Sequence, residues 1–144
     1  MLAVPLFAPH GEYRLEVDGN IIKNFADGAV NQETIEMYAR EMATLIRQFS
    51  GAPFAIYSDY GPTVILTHDA VVRLEESIAE RCRHGMCAAA LNLSRSSHRL
   101  ITSAQIGGLY EKAGVPWHEF DSYEGAKPWL EARIEEAQKA SGQN

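Results

Sequence analysis

The pattern of apolar and polar residues along the chain alternates between strand-like and helix-like segments. Residues 86–93, MCAAALNL, carry no charge and are too few for a typical helix. A short continuous apolar run is typical of a strand that is buried on both faces. This stretch therefore predicts the central strand of a covered sheet, and residues 54–57 and 117–120 predict two further strands.

A β-hairpin is predicted near the start. Tyr13, Leu15 and Val17 alternate with polar residues, which is the period of a strand with one buried face. Residues 18–20, Asp-Gly-Asn, have the composition of a tight turn. Residues 21–25 then predict a second strand, antiparallel to the first.

The first two helices are predicted from apolar residues at three- and four-residue steps. The first spans about residues 31–49, with Asn31 as N-cap, and the second opens at Thr67 and Asp69 and stops at Gly85. Their inner faces carry Ile35, Tyr38, Met42, Leu45, Ile46 and Phe49 in the first helix and Val71, Leu74, Ile78 and Cys82 in the second. The basic residues Arg81, Arg83 and His84 end the second helix, where the helix dipole favours cations; a ligand role is the alternative.

Two more helices follow the central strand. The third is predicted over about residues 97–113, and close packing against a neighbour explains Gly107 and Gly108 inside it. Its inner face carries Ile106, Leu109, Tyr110 and Ala113. Residues 121–124 predict a cap with Glu at the N3 position of the fourth helix. That helix carries Trp129, Leu130 and Ile134, and Pro128 either kinks it or marks where its regular part begins.

The predicted order is ββαβαβαβα, which defines the fold class. Strands that alternate with helices pair in parallel through right-handed crossovers. We therefore expect one α/β domain over residues 1–144, with a mainly parallel sheet and an antiparallel N-terminal edge strand. Residues 1–11 are expected to form an extended arm or an interface strand, and residues 140–144 a frayed tail.

Composition narrows the possible classes of protein. The net charge of −6 over 144 residues argues against general nucleic-acid binding. No apolar stretch reaches the roughly 20 residues of a transmembrane segment, and the first eleven residues lack the basic region of a secretory signal. Cys82 and Cys87 are the only cysteines, and we expect both to be reduced in a protein of the cytoplasm.

Three stretches of the sequence resemble a known family: the strand end YSDYGP with Asp59, the loop and helix LTHDAVVRLEESI, and the ending VPWHEFDSYEGAKPWL. With these stretches and the order of its elements, the chain resembles the STAS or SpoIIAA-like family of bacterial anti-sigma-factor antagonists. The resemblance covers about residues 13–134. The resemblance implies a SpoIIAA-like fold and a regulatory module that binds a protein partner and has no catalytic activity of its own.

One departure from the family pattern concerns phosphorylation. In the antagonist branch a partner kinase phosphorylates a serine just beyond the strand-end Asp. Here Tyr60, Gly61, Pro62 and Thr63 follow Asp59, so no serine stands in that place and Thr63 is the nearest aliphatic hydroxyl beyond Asp59. The broader branch of the family, which includes binders of small molecules and lipids, stays open.

The alternative hypothesis is a site for a small anionic or apolar ligand, or a hydrolase-like enzyme. Parallel neighbours would place the loops at residues 58–63 and 94–99 side by side at the carboxyl ends of two strands. Free amides and the dipole at a helix start attract anions, although an N-cap serine with solvated arginines is the simpler explanation of the second loop. The candidate ligand-binding residues are Asp59, Tyr60, Thr63, Ser94, Arg95, Ser96, Ser97, His98 and Arg99.

No motif in the sequence identifies a catalytic, metal or cofactor site. Serine, histidine and aspartate are present, but there is no G-x-S-x-G elbow. His10, His68, His84 and His118 lack the spacing of metal ligands. We therefore predict no catalytic residues, no metal and no cofactor, and expect either a protein partner or a homo-oligomer.

Overall fold

A five-stranded sheet forms the centre of the protein. The computed structural model describes residues 12–142, so the predicted N-terminal arm lies outside the described residues. The strands are β1 Glu12–Asp18, β2 Ile21–Asp27, β3 Ala29–Val30, β4 Phe54–Tyr60, β5 Ile65–Leu66, β6 Met86–Asn92 and β7 Trp117–Glu119. The large sheet has the order β1-β2-β4-β6-β7, and β3 pairs with β5 separately.

The direction of the strands confirms the predicted α/β class with a mainly parallel sheet, although β3 and β5 are additional to the predicted order of elements. β1 and β2 are antiparallel, and the pairs β2–β4, β4–β6 and β6–β7 are parallel. Gly19 has φ 61°, which suits glycine in the tight turn between β1 and β2. The chain is thus an α/β domain whose mostly parallel sheet carries an antiparallel strand at one edge.

Helices cover both faces of this sheet. They are α1 Gln32–Arg47, α2 His68–Arg83, α3 Arg99–Thr102, α4 Gly108–Ala113 and α5 Tyr123–Ala140. A π-helical segment, Ser103–Gly107, joins α3 to α4, so these three pieces form one continuous helix. With it, the described residues contain the four helices that the sequence predicted, and α5 includes Ala140, which was assigned to a frayed tail.

The two faces of the sheet are packed differently. On one face, α1, α2 and α4 bury a large core that includes Ile22, Met42, Ile56, Ile78 and Leu91. On the other face, α5 packs against β4 and β6. Small side chains in those strands, Ala55, Ala88 and Ala90, leave room for Leu130 and Ile134 of α5. This second face is open beyond α5, over β1 and β2.

The helix starts agree with the sequence in two of four cases. Asn31 accepts a hydrogen bond from the Thr34 amide at 3.0 Å and Thr67 from Ala70 at 3.2 Å, as expected of N-caps. The predicted start of the third helix at residue 97 is wrong. It begins at Arg99, and no side-chain hydrogen bond caps it.

The predicted cap of the fourth helix is also wrong in detail. Ser122 is the N-cap and accepts from the Gly125 amide at 3.0 Å, so Gly125, and not a Glu, stands at N3. The helix runs through Pro128, which rules out a regular part that begins there. The missing N–H of Pro128 costs only one bond of a helix that Leu130 and Ile134 hold in the core.

Three packing predictions have mixed outcomes. Gly107 packs closely as expected, because a Cβ there would lie 2.5 Å from the ring of Trp117. Ala113, predicted on the inner face, is exposed. The basic cluster at the end of α2 is divided: Arg83 and His84 pair with Glu80 on the surface, whereas Arg81 is only 1% exposed.

Two further observations concern the chain as a whole. Within residues 12–142 no helix combines the length and apolar character that crossing a membrane requires. Cys82 and Cys87 are both free thiols.

Candidate functional site

The two loops that the sequence placed side by side do meet. They follow β4 and β6, which are parallel neighbours, so both lie at the same edge of the sheet. The Ser97 amide donates to the Pro62 carbonyl at 3.0 Å and joins the loops directly.

The first loop holds two of the predicted residues in separate interactions. Asp59 accepts a hydrogen bond from Arg95 at 3.0 Å. Thr63 lies further along and donates from both its amide and its hydroxyl to Asp27, each at 2.9 Å. Asp27, at the end of β2, also accepts from the Gly28 amide at 2.8 Å. The Thr63 hydroxyl therefore serves to fasten this loop to β2.

The second loop satisfies its own polar groups. Ser94 donates to Asn92 through its amide and its hydroxyl, at 3.0 and 2.6 Å. The Ser96 hydroxyl accepts from the His98 amide at 3.1 Å. Arg99 points elsewhere and pairs with Glu119 at 3.1 Å. Because Arg95 and Arg99 each serve a different carboxylate, they do not converge on one anion.

Tyr60 lies on the opposite face of the sheet from Asp59, since neighbouring residues of a strand point to opposite faces. It is buried and lines a small cavity of about 30 Å³ between the sheet and the helices α1 and α2. Asn24, on the same cavity, donates to Ser58 at 3.2 Å, but its Oδ1 has no partner. The nine predicted residues therefore do not form a single cluster.

A polar groove lies near these loops, on the uncovered half of the second sheet face. It has a volume of about 300 Å³ and is bounded by the first turn of α5. Of the nine predicted residues, only Asp59 lines it. The other lining residues were not singled out by the sequence: Arg14, Glu16, Lys23, Asn24, Phe25, Tyr57, Asn92, Ser122, Tyr123 and Glu124.

A buried pair of side chains forms the floor of this groove. Asn92 donates to the Tyr57 hydroxyl at 2.9 Å, and both residues are less than one-tenth exposed. Burial raises the pKa of Tyr57 above its usual value, although the hydrogen bond from Asn92 opposes this. The phenol therefore stays neutral at physiological pH. Because it accepts from Asn92, its own proton is available to a ligand in the groove.

Cations stacked on aromatic rings form the walls. The Lys23 ammonium lies 4.0 Å from the centroid of the Tyr123 ring. The guanidinium of Arg14 lies 5.0 Å from the centroid of Phe25, and that of Arg95, which is not itself a lining residue, lies 5.5 Å from the same centroid. Such contacts hold a cation in place without neutralising it.

The charges of the groove are only partly paired. Arg14 pairs with Glu16 at 3.3 Å, and Asp59 with Arg95. Lys23 and Glu124 form no ion pair within the described part of the chain. The groove thus offers one unpaired cation, one unpaired carboxylate and a phenol donor.

Alternation along the strands was the signal that could have found this groove. Tyr57 and Asp59 in β4 and Lys23 and Phe25 in β2 occupy every second position, so each pair shares one face of the sheet. Asn92 is the last residue of β6 and the polar end of an apolar run.

A separate feature of the same edge is an exposed apolar pair. Leu100 and Ile101, in the first turn of α3, are 84% and 56% exposed. The guanidiniums of Arg95 and Arg99 are half exposed nearby in the sequence. Across residues 12–142, no three His, Cys, Asp or Glu side chains come together as metal ligands would.

Comparison with known proteins gives no family assignment. No model of a known protein family matches the chain. No curated protein matches it either.

Proposed function

We propose that the protein is a regulatory module of the SpoIIAA-like kind, which has no catalytic activity of its own and binds a protein partner. The order of its elements and the mostly parallel sheet with one antiparallel edge strand support this proposal. The observation that carries it is the exposed pair Leu100 and Ile101 at the carboxyl ends of the strands. Large aliphatic side chains exposed together mark surfaces that bind proteins.

The partner is expected to present an apolar contact with carboxylates near it, because the half-exposed side chains of Arg95 and Arg99 are close to the pair in the sequence. Regulation differs from that of the antagonist branch. The hydroxyl of Thr63 is bound to Asp27, so the proposed module binds its partner without a phosphorylation step in this loop.

A pull-down from the native host tests the proposal. We expect wild-type protein to retain a partner that Leu100→Asp and Ile101→Asp release. Val72→Asp is the matched control, since Val72 is also a large exposed aliphatic residue but lies in α2. Equal retention by all four proteins would refute the proposed surface. Turnover in an esterase and phosphatase screen that His98→Ala abolishes would refute the non-catalytic role.

The groove supports a second candidate function, the binding of a small zwitterionic ligand. The observation that favours it is the set of unpaired groups around the buried Tyr57 hydroxyl, a cation at Lys23 and a carboxylate at Glu124. A free amino acid carries the complementary carboxylate and amine. Tyr57 and Asn92 lie on rigid strands, so the donor is already in position.

Thermal-shift titration with each of the free amino acids tests this second candidate. A ligand of the groove is expected to raise the melting temperature of wild-type protein, and Lys23→Ala and Tyr57→Phe should remove that shift. Lys112→Ala is the control, because Lys112 pairs with Glu75 on the other side of the sheet. The candidate is refuted if no amino acid shifts the wild type, or if Lys112→Ala loses the shift equally.

A further inference from the structure

Within the described residues, the outer side of β1 is an unpaired sheet edge. β1 lies at the end of the strand order, and among residues 12–142 its only strand partner is β2. Within this seven-residue strand, the N–H and C=O groups that point away from β2 can therefore pair with a further strand. Such an edge is a template for pairing with another chain.

The turn determines which backbone groups point outward. Only Gly19 and Asn20 separate β1 from β2, so Asp18 and Ile21 pair directly across the turn and exchange two hydrogen bonds. Hydrogen-bonded and non-hydrogen-bonded pairs alternate along an antiparallel ladder. The N–H and C=O groups of Tyr13, Leu15 and Val17 therefore point away from β2.

This alternation restricts how β1 can pair with β1 of a second copy. The two-fold axis must place one residue of β1 opposite the same residue of the second copy. Only then do the outward N–H and C=O groups of one strand face the outward groups of the other. An axis at residue 14 places Arg14 opposite the partner's Arg14, and an axis at residue 16 places Glu16 opposite the partner's Glu16. Like charges directly opposite each other destabilise a pair of strands. An axis through Leu15 places Arg14 opposite the partner's Glu16, twice.

We propose that the protein forms a two-fold symmetric dimer in which β1 pairs antiparallel with β1 of a second copy, centred on Leu15. On one face of the sheet, Arg14 of each copy lies opposite Glu16 of the other. On the other face Tyr13 meets the partner's Val17, which covers a valine that is 42% exposed in the single chain. At the ends Glu12 faces the partner's Asp18, whose charge Lys127 already offsets at 3.1 Å.

The dimer would also enlarge the groove. Arg14 and Glu16 line the wall of the groove that is nearest the edge. In the proposed register each groove therefore borders the same two residues of the partner. A two-fold axis perpendicular to a sheet keeps both grooves on one face of a continuous ten-stranded sheet, so the two sites would adjoin.

Charge reversal tests the dimer and its register. Sedimentation equilibrium of the full chain is expected to show a dimer for the wild type. Arg14→Glu and Glu16→Arg should each weaken dimerisation by about tenfold or more, since both symmetric contacts become repulsive. The double variant Arg14→Glu/Glu16→Arg should dimerise like the wild type. An equimolar mixture of the two single variants should form a heterodimer.

The control and the contradicting results are equally specific. Arg83→Glu should dimerise normally, because Arg83 is as exposed as Arg14, 65% for each side chain, and also pairs with a nearby glutamate. A monomeric wild type would overturn the proposal and show that the charges of β1 protect a free edge. A dimer that the single reversals leave intact would place the interface elsewhere and overturn it as well.

Discussion

The guanidinium of Arg81 lies over the ring of Tyr38, with 5.2 Å between its central carbon and the ring centroid. Both side chains are buried. Nε and Nη2 of Arg81 contact the Ser77 hydroxyl at 3.3 Å, and Nη1 has no hydrogen-bond partner. Within the described residues Arg81 forms no ion pair. In the core this cation is thus accompanied by the Tyr38 ring and by the hydroxyls of Ser77 and Tyr110, and by no carboxylate among the described residues.

Replacing Arg81 with Met is expected to leave the free energy of unfolding unchanged or to raise it by about 1–4 kcal/mol. Arginine keeps its charge in a protein interior, and an apolar side chain of similar length avoids the cost of burying that charge. Arg81→Ala should instead lower stability by about 2–5 kcal/mol, because it leaves a cavity. Urea unfolding measures both, with the exposed Arg83→Met as control. If Arg81→Met lowers stability as much as Arg81→Ala, the guanidinium itself stabilises the core.

The neighbouring glycines Gly107 and Gly108 are expected to respond oppositely to alanine. A Cβ at Gly107 would lie 2.5 Å from the Trp117 ring, whereas at Gly108 it meets nothing within 4 Å. Gly107→Ala should lower the free energy of unfolding by about 1–3 kcal/mol through overpacking. Gly108→Ala should raise it by about 0.5–1 kcal/mol through helix propensity. Thermal unfolding compares the two, and Gly107→Ala as stable as the wild type would show that Trp117 moves aside.

Asp27 is expected to hold the loop after β4 in place. It accepts from the Gly28 amide and from the amide and hydroxyl of Thr63. Asp27→Ala should lower the free energy of unfolding by about 1–3 kcal/mol, and Thr63→Val by only about 0.5–1.5 kcal/mol, because the Thr63 amide still donates. Hydrogen exchange of the Thr63 amide should quicken in Asp27→Ala and stay slow in Thr63→Val. If Asp27→Ala and Thr63→Val lowered the free energy of unfolding equally, Asp27 would not hold the loop through the Thr63 amide.

Alkaline pH is expected to destabilise the protein partly through Cys87. Burial raises the pKa of this thiol to about 11. In the unfolded chain the pKa of this thiol is about 8.5. Its contribution to the free energy of unfolding is therefore complete below pH about 8.5 and is lost as the pH rises to about 11. Urea unfolding from pH 7 to 11 should therefore show a shallower loss of stability in Cys87→Ala than in the wild type. Identical slopes would show that the thiol does not contribute.

The sequence predicted the elements whose apolar pattern is long enough to be read. β1 alternates with a period of two, β6 is a continuous apolar run, and the first two helices repeat a period of three to four residues several times. The strands β3 and β5 have two residues each, which is too few for any period. Their pairing depends on where the ends of β2 and β4 bring the chain.

The start of the third helix could not be predicted from local signals. Three serines precede it, and each is a possible cap. The Ser97 amide is instead bound to Pro62 in the other loop, and the Ser96 hydroxyl to the His98 amide. A contact between residues distant in sequence therefore delays the helix to Arg99.

The position of the candidate site could be predicted from the sequence, but the residues that line it could not. Parallel pairing correctly brought the loops after β4 and β6 together, because this depends only on strand direction. The side chains that reach the groove depend on the face to which each strand residue points. Strict alternation separates Asp59 from Tyr60, and the same alternation places Tyr57 in the groove.

The strand order β1-β2-β4-β6-β7 repeats the order in which these strands occur along the chain. Each strand that leaves the ribosome therefore finds its partner already synthesised, and the sheet can grow by addition at a single edge. No strand has to be inserted between two others that have already paired. The hairpin of β1 and β2 is synthesised first, so the later strands can be added in turn along its β2 side.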